Sequence, residues 1–171
     1  MATLHHNISG ELTQELLAPG NNVKVSKISL TNVQKVSKCK VDLYINRVAG
    51  GDYGKFYLLK GVELPIGTTL IYDDIKFNNA VYGLYVKLTD GATFTLTGSI
   101  DPIADPTVTG VNTLFLSEVS VGDEIVVSSE TRTVASIAGN TSLEVTVATT
   151  NTANDTTPDC NPTALVDVII N

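Results

Sequence analysis

The chain has 171 residues, 43% of them apolar, carries a net charge of −7 and lacks tryptophan. That length allows one large domain or two small ones, each with a real core. The acidic balance argues against nucleic acid as a partner, since phosphate binding needs clustered Lys and Arg, and no 18-residue apolar run is present to span a membrane.

Thr and Val supply 22 and 20 residues. Both are β-branched and suit a pleated, half-buried surface better than a helix, so the expected class is all-β. Charge is uneven along the chain. Residues 1–100 carry ten Lys/Arg against eight Asp/Glu, whereas residues 101–171 carry Arg132 alone against ten acids. The asymmetry predicts two modules, 1–100 and 101–171, the second with a soluble acidic surface. The opening MATLHHNIS lacks a basic segment followed by an apolar run, so no signal peptide is expected and folding is placed in a cytoplasm.

Residues 3–17 alternate weakly and stop at Ala18-Pro19-Gly20, a turn signal. The segment reads either as part of the domain, with a short helical turn over Thr13–Leu17, or as an arm that pairs with a neighbouring subunit. His5 and His6 are adjacent, and adjacent side chains on a strand diverge, so the pair reads as exposed or interfacial rather than as a metal grip. Residues 23–33 form a strand whose apolar phase shifts between Val25 and Ile28, which predicts a bulge near Ser26-Lys27. Residues 39–47 alternate cleanly, with Cys39, Val41, Leu43 and Ile45 on one face. Gly50 to Gly54 is a loop, and strands follow at 55–60 and 68–72.

The stretch 81–100 carries two alternating runs around Asp90-Gly91. Tyr82, Leu84, Val86 and Leu88 share one face of the first; Ala92, Phe94, Leu96 and Ile100 share one face of the second. Asp-Gly supplies the positive φ angles of a tight hairpin, so a hairpin is predicted here. Seven or eight strands in the first hundred residues fit an antiparallel β-sandwich, jelly-roll or immunoglobulin-like. Asp101-Pro102 and Asp105-Pro106 mark the expected boundary. Strands are expected at 124–128, 131–137 and 142–149 in a small β-barrel-like module, with 150–162 as a polar loop. Leu165–Ile170 either completes that module or returns to the sandwich, making 101–162 an insertion.

A reaction centre is harder to find. The two histidines are both terminal, and neither a nucleophile elbow, a zinc-protease helix nor a phosphate-binding glycine loop occurs. No catalytic residue, cofactor or metal is assigned. Asp73-Asp74 point apart on an extended segment and read as a solvated turn. The loop around Asp155 and Asp159 lacks the spacing of a calcium loop. Cys39 reads as a buried free thiol and Cys160 as a loop residue, with no framework of disulfides. Tyrosines 44, 53, 57, 72, 82 and 85 suit core or protein interfaces first and a carbohydrate platform second, with Tyr85 on the face opposite Tyr82.

Two segments carry a resemblance. YGKFYLLKGVELPIGTTLIYDDIKFNNAVYGLYVKL resembles small β-sandwich virion proteins of tailed bacteriophages, including phages of marine cyanobacteria. TVTGVNTLFLSEVSVGDEIVVSSETRTVASIAGNTSLEVT is similar to a small β module of phage tail-associated and structural proteins. The resemblance implies a non-enzymatic virion protein that decorates or bridges the capsid, neck or tail, made in the host cytoplasm. Its partners would be other virion proteins and further copies of itself in a trimer or ring, the acidic module facing solvent. The contact surface is assigned to Leu4, His5, His6 and Ile8 of the N-terminal segment and to Tyr53, Tyr57 and Tyr85. The rival function is a receptor- or glycan-binding module of a tail fibre.

Overall fold

The structure, a computed structural model, describes residues 3–47, 54–73 and 75–171. Its strands begin with β1 (Leu4–Ser9), β2 (Thr13–Leu17), β3 (Ile28–Asn32), β4 (Cys39–Asn46) and β5 (Phe56–Leu64). There follow β6 (Thr69–Tyr72), β7 (Gly83–Thr89), β8 (Phe94–Thr95), β9 (Ser99–Ile100) and β10 (Thr107–Val111). After the single-turn helix α1 (Phe115–Glu118) come β11 (Glu124–Val127), β12 (Glu130–Gly139), β13 (Ser142–Val145), β14 (Asp159–Asn161) and β15 (Leu165–Ile170). The protein is all-β with antiparallel sheets, as composition demands.

The chain divides into two compact units: 1–34 with 38–90 and 164–171, and 91–163 with 35–37. Unit 1 is a sandwich of two four-stranded sheets, ordered β1-β15-β3-β6 and β2-β7-β4-β5. Alternation turns one face of each sheet inward. Ile8, Ile28, Leu30, Val166, Val168 and Ile170 from the first sheet meet Val41, Leu43, Leu84, Val86 and Leu88 from the second in one apolar core. Burying each such side chain stabilises by roughly 1.5–3 kcal/mol, which is why the residue phase decides which face turns inward. The strand expected over 23–33 is shorter: β3 begins at Ile28, and just before it the Ser26 and Lys27 N–H groups both donate to the Asn171 carbonyl (2.7 and 3.1 Å).

Residues 3–9 are part of the domain: β1 pairs with β15 of its own chain, from Leu4↔Ile170 to Ser9↔Leu165. Two local expectations give way to longer-range pairing. Residues 13–17 are extended as β2 and pair with β7 rather than forming a helical turn. The Asp90-Gly91 hairpin does not form either. β7 lies between β2 and β4, while β8 pairs with β14. Asp90 instead accepts a hydrogen bond from the Ala164 N–H (2.6 Å) and donates its own N–H to Glu11 (3.0 Å). The chain therefore leaves unit 1 at Asp90 and re-enters it at Ala164, beside the point of exit. Leu165–Ile170 becomes an inner strand between β1 and β3.

Unit 2 is a seven-stranded sheet, β8-β14-β11-β12-β13-β10-β9, over its own core of Leu96, Ile100, Phe115, Ile125, Leu143 and Cys160 among others. No barrel closes: the terminal strands β8 and β9 do not pair, and an isolated bridge, Ile100↔Asp155, does not join them. Inside the expected polar loop, Pro158, Cys160 and Pro162 alternate inward and place Cys160 on β14 opposite Ile125. Unit 1 carries nine Lys/Arg and nine Asp/Glu, unit 2 two and nine, so the whole net charge belongs to unit 2.

Candidate interaction surfaces

The first sheet has one long, unguarded edge. The Gly10 N–H donates to the Ala164 carbonyl (2.9 Å), and the register runs from there without a shift. In an antiparallel ladder, backbone groups alternate between the two sides of the strand. The N–H and C=O groups of Leu4, His6 and Ile8 thus face β15, and those of His5, Asn7 and Ser9 face the open edge. No described strand pairs with that side.

Side chains follow the same parity. Leu4 and Ile8 point inward onto the core, as does the half-buried His6, whose Nε2 is buried without a hydrogen-bond partner. His5, Asn7 and Ser9 are exposed on the outer face. There Asn7 Nδ2 donates to Asp167 Oδ1 (2.6 Å), and Thr31 and Thr69 share a hydrogen bond (2.9 Å) two strands away. A shallow hollow of about 390 Å³, lined by His5, His6, Asn7 and residues 167–169, runs along the β1/β15 pair. Of the predicted N-terminal set, His5 is therefore the outward-facing side chain, while Leu4 and Ile8 anchor the strand.

The second sheet carries an aromatic row on its outer face. Cross-strand register sets Tyr85 beside Tyr44 and Tyr44 beside Tyr57, with ring centroids 5.7 and 5.5 Å apart. Lys55 Nζ sits 5.2 Å from the Tyr44 ring centre and Lys60 Nζ 4.8 Å from that of Tyr57, cation–π distances that roof the row. At the other end Tyr85 Oη donates to Glu15 Oε2 (2.9 Å). Tyr85 is 1% exposed, which corrects its assignment to the surface. The outer face of this inner strand is itself covered, by aromatic neighbours rather than by a second sheet. Burial and the bond to Glu15 push its hydroxyl up to about 12. Tyr57 remains 43% exposed, next to Phe56 at 55%. Tyr53 lies outside the described residues. Phe56, Lys55 and Lys60 were not singled out from the sequence; Phe56 and Lys60 are exposed on edge strand β5, and the half-buried Lys55 immediately precedes it.

The remaining candidates are structural. Asp155 accepts the N–H groups of Ser128 (2.7 Å) and Thr157 (2.9 Å), and Asp159 accepts the Thr95 hydroxyl (2.8 Å), so these carboxylates are occupied in shaping a turn. Asp74 lies outside the described residues, so the Asp73-Asp74 pair has no described geometry. Burial, with Asp90 nearby, pushes the Cys39 thiol up to about 11; burial beside Asp123 pushes Cys160 up to about 12. Both thiols are free, buried and in different units. Among the described residues, no three His, Cys, Asp or Glu side chains converge as a metal site would require, and no helix is long and apolar enough to cross a membrane.

No protein-family model matches the chain, and neither a curated protein nor a solved structure shows significant similarity to it.

Proposed function

We propose that the protein is a non-enzymatic structural component of a bacteriophage particle, decorating or bridging the capsid, neck or tail through protein–protein contacts. The observation that carries this reading is the β1 edge, six residues of uncharged, unbulged strand whose outer side pairs with no strand among the described residues. Solitary soluble proteins guard such edges with charge, proline, bulges or brevity. The other two sheets do so: β2 and β5 carry register shifts and charged residues, and β8 and β9 are two residues long. An edge left open is suited to receive a strand from a neighbour. The acidic unit 2 would keep the assembled particle solvated. The phage setting rests on the sequence resemblance. Mass spectrometry of purified particles tests the proposal: the chain should be present in stoichiometric multiples of a symmetric ring or shell. Recovery from the lysate but not from the particles would contradict it.

A second reading, a receptor- or glycan-binding module of a tail fibre, is favoured by exposed Phe56 and Tyr57 with Lys60 over the latter ring. Glycan-array binding lost on Tyr57→Ala, and retained in a β1-edge variant, would select it.

A further inference from the structure

We infer that β1 pairs antiparallel with β1 of a second copy, joining the two β1-β15-β3-β6 sheets into one continuous eight-stranded sheet across a two-fold axis. The inference takes from the assembly reading only that the edge is a contact surface, and it adds the occupant. Three observations lead there. The strand is LHHNIS, with no Lys, Arg, Asp or Glu, so two copies can approach antiparallel without like charges meeting. An antiparallel edge is self-complementary about a two-fold axis normal to the sheet, and such a contact closes on itself. Parity also fixes the register. The open-edge groups belong to His5, Asn7 and Ser9, and two-fold pairing that keeps both cores on the same face must match odd residues with odd ones.

Centring the axis on Asn7 sets Asn7 opposite Asn7 and His5 opposite Ser9. All three N–H and all three C=O groups of each copy then find partners, making six bonds across the axis. Centring on His6 would pair only His5 with Asn7 within the strand and leave Ser9 unmatched. On the inner face the Asn7-centred register brings His6 beside Ile8 of the other copy. β6, the other edge of this sheet, is a four-residue strand followed at once by Asp73. Pairing β6 to β1 would be head-to-tail and would leave both ends of the ribbon open. The two-fold pair is the closed solution, and it replaces the trimer or ring expected from the sequence as the elementary unit.

The test is the mass of the full chain in solution. Sedimentation across a concentration series should give a dimer of about 36 kDa, twice 18.1 kDa, dissociating on dilution. Asn7→Pro removes an N–H that β15 does not use, on an edge strand where proline is tolerated, and gives up only the exposed Asn7–Asp167 hydrogen bond, so the monomer should keep its circular dichroism and melt only slightly lower. Its dimer dissociation constant should rise at least about tenfold. The double variant His5→Lys/Ser9→Lys sets lysine opposite lysine twice across the axis, at exposed positions, and should do the same. Should Asn7→Pro fail to fold, the double variant alone decides. A monomer at every concentration, a dimer indifferent to the folded variants, or a trimer or open polymer would each overturn the inference. None of these outcomes bears on whether the chain is found in particles, so the two proposals fail separately.

Discussion

Two deletions of nearly equal length should have opposite consequences. Removing 101–171 takes away β15, the strand on which both β1 and β3 pair. Val166, Val168 and Ile170, each at most 2% exposed, go with it. At roughly 1.5–3 kcal/mol per buried side chain the loss is about 4–9 kcal/mol. That is comparable to the whole stability of a domain, about 5–15 kcal/mol, before the stranding of β1 is considered. Removing 91–163 instead spares every strand of unit 1, because Asp90 and Ala164 are already joined by a 2.6 Å hydrogen bond. A short Gly/Asn linker suffices to close the gap. Urea denaturation followed by circular dichroism should show a cooperative transition for the internal excision and none for the 1–100 fragment. A fragment 1–100 that unfolds cooperatively at the same midpoint as the excised protein would refute the reasoning.

Further outcomes follow from named contacts. Tyr85→Phe leaves a Glu15 carboxylate without its donor and should lower stability by about 1–3 kcal/mol in thermal melts, whereas Tyr57→Phe, on the exposed end of the row, should change little. Ser128 and Ser129 both hold positive φ (52° and 68°) at the β11–β12 turn. Ser129→Gly should therefore stabilise by roughly 1 kcal/mol, and Asp155→Ala, which releases the Ser128 N–H, should destabilise by a similar amount. Cys39 and Cys160 should resist a thiol reagent at pH 8 until denaturant is added. The folded thiols ionise near 11 and 12 but the unfolded ones near 9.0, so above pH 9 the unfolded chain releases protons first. Stability should hold up to that pH and fall as it rises toward 12. A melting point unchanged between pH 8 and pH 11 would contradict the burial of both.

Alternation made the core legible. Leu84, Val86 and Leu88 face one interior together, as do Leu96 and Ile100, and the shift of phase near Ser26-Lys27 lies just ahead of where β3 begins. What alternation cannot convey is which strand lies alongside. Asp90-Gly91 has the local chemistry of a hairpin turn, yet β7 finds β2 and β4 tens of residues away, and the Asp90 carboxylate is engaged by the returning chain. The acidic bias between Asp101 and Asp159 located the second unit, but its start at Gly91 carries no compositional mark. Cys160 was obscured because Pro158 and Pro162 read as loop, although both keep the inward phase that runs on to Ile170. Tyr85 was misplaced for a related reason: a two-residue period tells which face a side chain takes, not whether Tyr44 and Glu15 cover it. The N-terminal strand was partly legible in the weak alternation of residues 3–9. Its parity, which separates His5 from Leu4 and Ile8, came only with the pairing to β15.

The account holds that this chain works by offering the open side of β1 to another strand, and amide hydrogen exchange reads that side directly. In dilute solution the N–H groups of His5, Asn7 and Ser9 should exchange freely while those of Leu4, His6 and Ile8 stay protected by β15. On assembly, protection should spread to the first three. If His5, Asn7 and Ser9 exchange as fast in the assembled state as in the dilute one, the edge is not the contact and the account is wrong.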